Sequence, residues 1–166
     1  MGEKTINQSI ESIQATLDQI VETVESLPED SIRWKPSDDE WSILQILSHI
    51  SEATPYWIGE IKTVVADPGS EWGRGMQDSA RLAAVAEPEK LSSEKVEEQV
   101  KQLKNQVEVE LGGLTEEQLK KESPHRNFAK FGNKPVSFII GHFIEEHLKG
   151  HLGQINRNIS KLKQTN

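Results

Sequence analysis

His147 and His151 stand four residues apart in the stretch His147-Leu-Lys-Gly-His151. Four residues turn an α-helix by about 400° and advance it about 6 Å, so on a helix the two rings sit about 40° apart on one face. Two imidazoles so placed can meet one ion, as the two histidines of the zinc-protease pattern H-E-x-x-H do. The glutamate of that pattern is missing, which excludes a protease of that kind. Ile140, Phe143 and Ile144 precede His147 at helical steps and Ile155 follows His151, so both rings are expected to face an interior. A buried polar group left without a partner costs about 1–3 kcal/mol, which two adjacent rings avoid by sharing an ion or a hydrogen-bond network. His49 lies between Ile46 and Ala53 and borders the apolar stripe of an earlier helix, so it is the natural third vertex. Three histidines with open positions describe a catalytic rather than a structural metal site. An all-nitrogen set suits a divalent Zn or Ni first, and also Fe or Cu.

Other polar residues near these positions are weaker candidates. Glu52, one turn beyond His49, and Glu146, beside His147, could act as a base or orient a ligand, although surface charge is the competing explanation. Gln154 is placed to hold a ring from behind. Gly150 and Gly153 flank His151 in a helix, and close helix approach is the expected reason. His142 is five residues before His147, which on an α-helix points it about 140° away and outside the ligand set. His125, in the loop Ser123-Pro124-His125-Arg126, is expected to be exposed. Carboxylate di-iron bundles use Glu-x-x-His. Here Leu148 follows Glu145 and Lys149 follows Glu146 at that spacing, so the motif is absent.

Four amphipathic helices must position these residues. The first spans about Thr5 to Leu27, with Ile6, Ile10, Ile13, Leu17, Ile20 and Val24 on one face, and Pro28 ends it. The second starts at Ser42, with Gln45 three residues on as a capping box and Trp41 and Ile46 as a staple. It continues through Ile50, Ala53, Trp57 and Ile61, with a kink expected at Pro55. Residues 66–91 read as a long connection holding a short helix over Ser79–Ala86, with Trp72 as a wedge or a pocket wall. The third helix starts near Ser92 or Ser93, carries Val96, Val100, Leu103, Val107 and Leu111, and stops at Gly112-Gly113. A second connection covers 114–134, and the fourth helix begins at about Pro135. No strand is convincing. The segments Leu27–Ile32 and Leu114–Leu119 echo each other weakly ahead of the second and fourth helices. The expectation is one all-α domain over residues 1–166, a four-helix bundle with long connections between helices two and three and between three and four.

Composition narrows the function. The 166 residues include no cysteine, which excludes disulfides, thiolate metal sites and a thiol nucleophile from the chain itself. A formal charge of -8 argues against a nucleic-acid partner. No apolar run approaches the roughly 20 residues of a membrane span, and no secretory signal is visible, so a cytoplasmic location is expected. Met1-Gly2 is an isolated myristoylation cue without a supporting basic patch.

Trp34-Lys-Pro, then Trp41-Ser-Ile-Leu-Gln-Ile-Leu-Ser-His49, with Tyr56-Trp57 beyond, resembles the front half of the DinB/YfiT-like superfamily. His147-Leu-Lys-Gly-His151-Leu-Gly-Gln154-Ile resembles its closing helix, so the resemblance spans essentially the whole chain. It implies an up-down-down-up four-helix bundle. It also implies a divalent ion on one histidine of helix two and an H-x-x-x-H pair of the last helix, positions that match His49, His147 and His151. Family activities include thiol-dependent S-transfer with bacillithiol and mycothiol-dependent maleylpyruvate isomerisation, and many members are described as metal-dependent hydrolases. Many are dimers. The resemblance therefore implies a metal-dependent transferase or hydrolase acting on a small molecule, with a low-molecular-weight thiol as a further cofactor and a homodimer as the assembly. Further histidines found near the last ligand in thiol-dependent members are replaced here by Gly150 and Leu152. The alternatives are a non-catalytic bundle that binds a metal or small molecule, and a metal-free member with hydrogen-bonded histidines.

Overall fold

A computed structural model describes residues 5–165. The Met1-Gly2 cue lies outside the described residues. Four long helical stretches carry the core: α1 (Ile6–Glu25), α3 (Ile43–Ala66), α5 (Ser93–Leu111) and a composite last helix. That last helix is α8 (Val136–Phe138), a π-helical segment (Ile139–Glu146) and α9 (His147–Gln164) in direct succession. Short helices α2 (Glu29–Arg33), α4 (Ser79–Ala86), α6 (Glu116–Leu119) and α7 (Phe128–Phe131) punctuate the connections. The all-α bundle expected from the periodicity is what forms.

The helix starts follow from capping chemistry. Thr5 and Ser42 each accept a hydrogen bond from the backbone N–H three residues on, while Gln8 and Gln45 reach back to the cap backbone. Each box satisfies two otherwise orphaned donors. Helix α3 runs unbroken from Ile43 to Ala66 with Pro55 inside it. Proline costs about 3 kcal/mol inside a helix. Burial of Ala53, Thr54, Trp57 and Ile58 around it holds the helix in register against that cost. Pro135 caps the last helix from outside instead of occupying its first turn. The two echoed segments both fold as single-turn helices, α2 and α6, each burying its last apolar residue, Ile32 or Leu119.

Side-chain pairs between helices give the topology. Gln14 reaches Lys104 O, Asp18 pairs with Lys104 and Glu25 with Lys101, so α1 and α5 are antiparallel. Ser51 meets Gln99 and Lys62 pairs with Glu110, so α3 and α5 are parallel. Trp41 O accepts from Asn158 and Trp57 packs on Phe143, so α3 and the last helix are antiparallel. The order is up-down-down-up. Helix α1 packs on α5 and α9, and α3 packs on α5 and the last helix. The buried apolar side chains between them form one cluster.

Parallel neighbours force a long link. Helix α3 has 24 residues, about 36 Å of rise, and the chain must travel back along that length before α5 can start. The link is pinned on the way: Ser48 Oγ donates to Ala84 O at 2.6 Å and Gln45 Nε2 donates to Val85 O at 2.9 Å. The second long connection contains a small antiparallel pair, β1 (Glu122–Pro124) and β2 (Asn133–Pro135), where no strand is expected from the sequence. Its cause is tertiary. Trp72 N–H donates to Pro124 O, Arg126 N–H to Trp72 O and the Trp72 indole N–H to Ser123 O, stitching the two connections together. Trp72 is thereby a fully buried wedge. Among the described residues, no helix is long and apolar enough to cross a membrane.

Candidate metal centre

Helix α3 presents His49 from its first half, and α9 presents His147 and His151 from its first two turns. The antiparallel packing brings the three rings together. His147 Nε2 lies 3.1 Å from His49 Nε2 and 2.9 Å from His151 Nε2. One ligand atom from each residue fits within a 4.8 Å set. Ring centroids are 4.3 to 5.0 Å apart, all edge to face. Two nitrogens each about 2.0–2.1 Å from a tetrahedral ion would be about 3.3 Å apart, close to the observed spacing.

The chemistry of the donors fits a cation. His151 Nδ1–H donates to Gln154 Oε1 at 2.8 Å, which leaves a lone pair on its Nε2. A proton on His147 Nε2 can point at only one of its two neighbours. A cation between the rings satisfies all three lone pairs at once. Burial pushes His49 and His147 down to about 3, with the neighbouring histidine charges adding to the effect. Burial also lowers His151, partly opposed by the Gln154 hydrogen bond. All three rings are therefore neutral near pH 7, the form that ligates metal. His49 Nδ1 is buried with no partner. Trp41 covers the cluster from outside, 5.1 Å from His49 and stacked at 6.5 Å on His151. Its backbone is anchored by Asn158 Nδ2 at 2.9 Å.

His49 and His147 open on a cavity of about 810 Å³. Its apolar wall is Ala53, Trp57, Phe131 and Phe143, and its polar wall comes from the two long connections. His142 also lines it, so the expectation that His142 faces away needs correction. The reason is the π-helical segment between them. A π-turn bonds i to i+5 instead of i+4, so residues five apart come towards a common face. His142 remains outside the ring cluster, with Nδ1 2.9 Å from Glu146 Oε2.

The remaining candidates sort by contact. Glu52 is held in a two-pronged pair with Arg74 at 2.6 and 2.7 Å and is not a free carboxylate. Arg74 also meets Asp78 at 3.3 Å and lies 4.0 Å over the Tyr56 ring. Burial and the acceptor Glu60, 2.5 Å from the hydroxyl, raise the Tyr56 pKa well above its usual value. Glu146 is exposed beside His142. His125 is buried, only 4% exposed, against the expectation for its loop. Trp72 packs on its ring at 4.5 Å, and Gly73, at φ +97°, makes the space: a Cβ there would come within 2.4 Å of His125 Nε2. Nor do the helix glycines mark close helix packing. A Cβ on Gly150 would meet nothing, and one on Gly153 only the Arg157 side chain at 3.4 Å.

Arg74, Arg81, Arg126, Lys130 and Phe131 reach the cavity without having been singled out from sequence. All lie in the two long connections, and the length of those links was their one sequence signal.

The family described as the DinB superfamily matches residues 12–155. No curated protein matches this chain. Among solved structures, YfiT from Bacillus subtilis superposes with a TM-score of 0.80 over 98% of this chain and 90% of its own, at 13% identity. That protein is described as "a probable metal-dependent hydrolase with an unusual four-helix bundle topology". At that identity the likeness speaks to the fold. By the match over most of its length and the topology traced above, this chain belongs to the DinB superfamily.

Proposed function

We propose that His49, His147 and His151 hold one divalent ion and that the protein is a metal-dependent enzyme acting on a small molecule in the adjoining cavity. The observation that carries this is the convergence of three neutral Nε2 atoms, one on buried His49 and two on half-buried His147 and His151, with contacts of 2.9 and 3.1 Å among them, beside a cavity that His49 and His147 line. When bound, such an ion supplies Lewis acidity and a nucleophile near neutral pH. Zn or Ni suits the all-imidazole set best, with Fe or Cu as further candidates. Gln154 orients His151, and Trp41 keeps water from the outer side of the rings. Trp57, Phe131 and Phe143 offer an apolar wall for the body of a substrate.

The reaction is hydrolysis or transfer involving a low-molecular-weight thiol. The description of YfiT as a probable metal-dependent hydrolase supports the first. The absence of cysteine means that, in the second, the thiol comes from solution. Turnover of ester and electrophile panels, with and without added thiols, separates the two. Inertness in every combination favours a non-catalytic binding protein.

The metal assignment is tested by elemental analysis of untagged wild type beside His147→Ala, both supplied with divalent ions. About one equivalent is expected in the wild type and none in the variant. Equal content in the two proteins overturns the assignment.

A further inference from the structure

The cavity beside the three histidines has the opposite sign to the protein. The chain carries a formal charge of -8. Yet the cavity is lined by four cationic side chains, Arg74, Arg81, Arg126 and Lys130, and by one carboxylate, Asp78. That carboxylate is already taken by Arg74, which Glu52 also neutralises. The other three cations are uncommitted. Among the described residues, no carboxylate pairs with Arg81, Arg126 or Lys130. Arg81 spends one N–H on Met76 O at 3.1 Å and faces Trp41 at 5.9 Å, and Lys130 lies 5.2 Å from the Phe131 ring.

Three cations without a carboxylate partner in one concave site focus a positive potential there. They come from both long connections, Arg81 from α4 and Arg126 and Lys130 from the β1–α7 region, so the fold assembles the patch from separate segments. The same cavity is lined by the aromatic rings of Trp57, Phe131 and Phe143. An apolar body against the rings and an anionic group on the guanidinium and ammonium ions would satisfy both kinds of lining.

We propose that the substrate of this site is a small organic acid, a carboxylate or phosphate monoester with an apolar body, whose anionic group is held by Arg126 and Lys130 with Arg81 beside the histidines. This rests on the cavity being the substrate site of the metal centre proposed above. The two anionic groups share the same recognition: several N–H donors and a fixed positive charge around acceptor oxygens.

Isothermal titration calorimetry of the full-length protein supplied with zinc tests it, using 2-naphthoate, 2-naphthyl phosphate and neutral 2-naphthamide as probes. At least one anion is expected to bind tenfold or more tightly than the amide, and the stronger of the two identifies the anionic group. The R126Q/K130Q variant is expected to lose fivefold or more of the anion affinity while leaving the amide unchanged. Both replaced residues are exposed, and unchanged metal content and melting confirm that the variant is intact. Equal affinity for all three probes overturns the proposal. So does anion binding that R126Q/K130Q leaves untouched, because the anion then sits on the ion alone. If elemental analysis finds no metal in the wild type, the metal centre fails, while the anion preference and its loss in R126Q/K130Q still decide this proposal.

Discussion

At the scale of single residues, the candidate centre depends on which nitrogen of each histidine carries the proton. His151 has that settled by the 2.8 Å bond from Nδ1–H to Gln154 Oε1. Removing a partner of this kind typically costs 10–100-fold in metal affinity. Gln154→Leu is therefore expected to weaken metal binding by about 10–100-fold while leaving the helix intact, as read by competition with a chromophoric chelator. Unchanged affinity would mean that the ring needs no such support. The His147–His151 pair was legible in the sequence because four-residue spacing is a local property of any helix. His125 was not. Its burial depends on Trp72, on the space left by Gly73 and on Phe131 and Phe143, none of which the loop around it announces.

At the scale of elements, α9 carries two glycines near the centre without a packing reason. Gly150 is exposed, in helical conformation, and open to a Cβ. Glycine costs about 1 kcal/mol against alanine inside a helix. Gly150→Ala is expected to raise unfolding stability by about 1 kcal/mol, measured by urea denaturation, with metal content unchanged. A loss of stability would show that the position is packed against something the isolated chain lacks. The π-helical segment just before His147 lay beyond reach of periodicity. Ile139, Ile140 and Ile144 fit an α-helical stripe as readily as a π-helical one, and His142 on the cavity is the side chain that an α-helical reading places elsewhere. Capping boxes were easier. Ser42 with Gln45 satisfies its own backbone within four residues, so that helix start was visible where the π-segment was not, while the first helix was marked by its apolar stripe and its Thr5–Gln8 box emerged from the structure.

At the scale of the whole molecule, the proposed ion would tie α3 to α9 and so bind the folded state selectively. A ligand at a hundred times its dissociation constant stabilises by about 2.7 kcal/mol, which for a domain of this size raises Tm by roughly 5–10 °C. Scanning calorimetry of chelator-treated protein with and without added zinc or nickel is expected to show that rise, reversed by chelator. No change in Tm with any divalent ion tried would count against a resident metal. The topology behind that tie was legible only in part. Four amphipathic stripes, their caps and the histidine pair follow from periodicity and local hydrogen bonding, because helices are organised by residues three and four apart. The sequence by itself therefore determined the helices, the faces they bury and the three rings that could converge. Tertiary structure alone decided that α3 and α5 run parallel, that the link between them must retrace the bundle, and that this link meets the β1–β2 connection beside the cavity. Charge placement in the cavity depends on those long-range meetings. Arg81 and Lys130 are nearly fifty residues apart in the chain and line one cavity only because packing brings both connections to it.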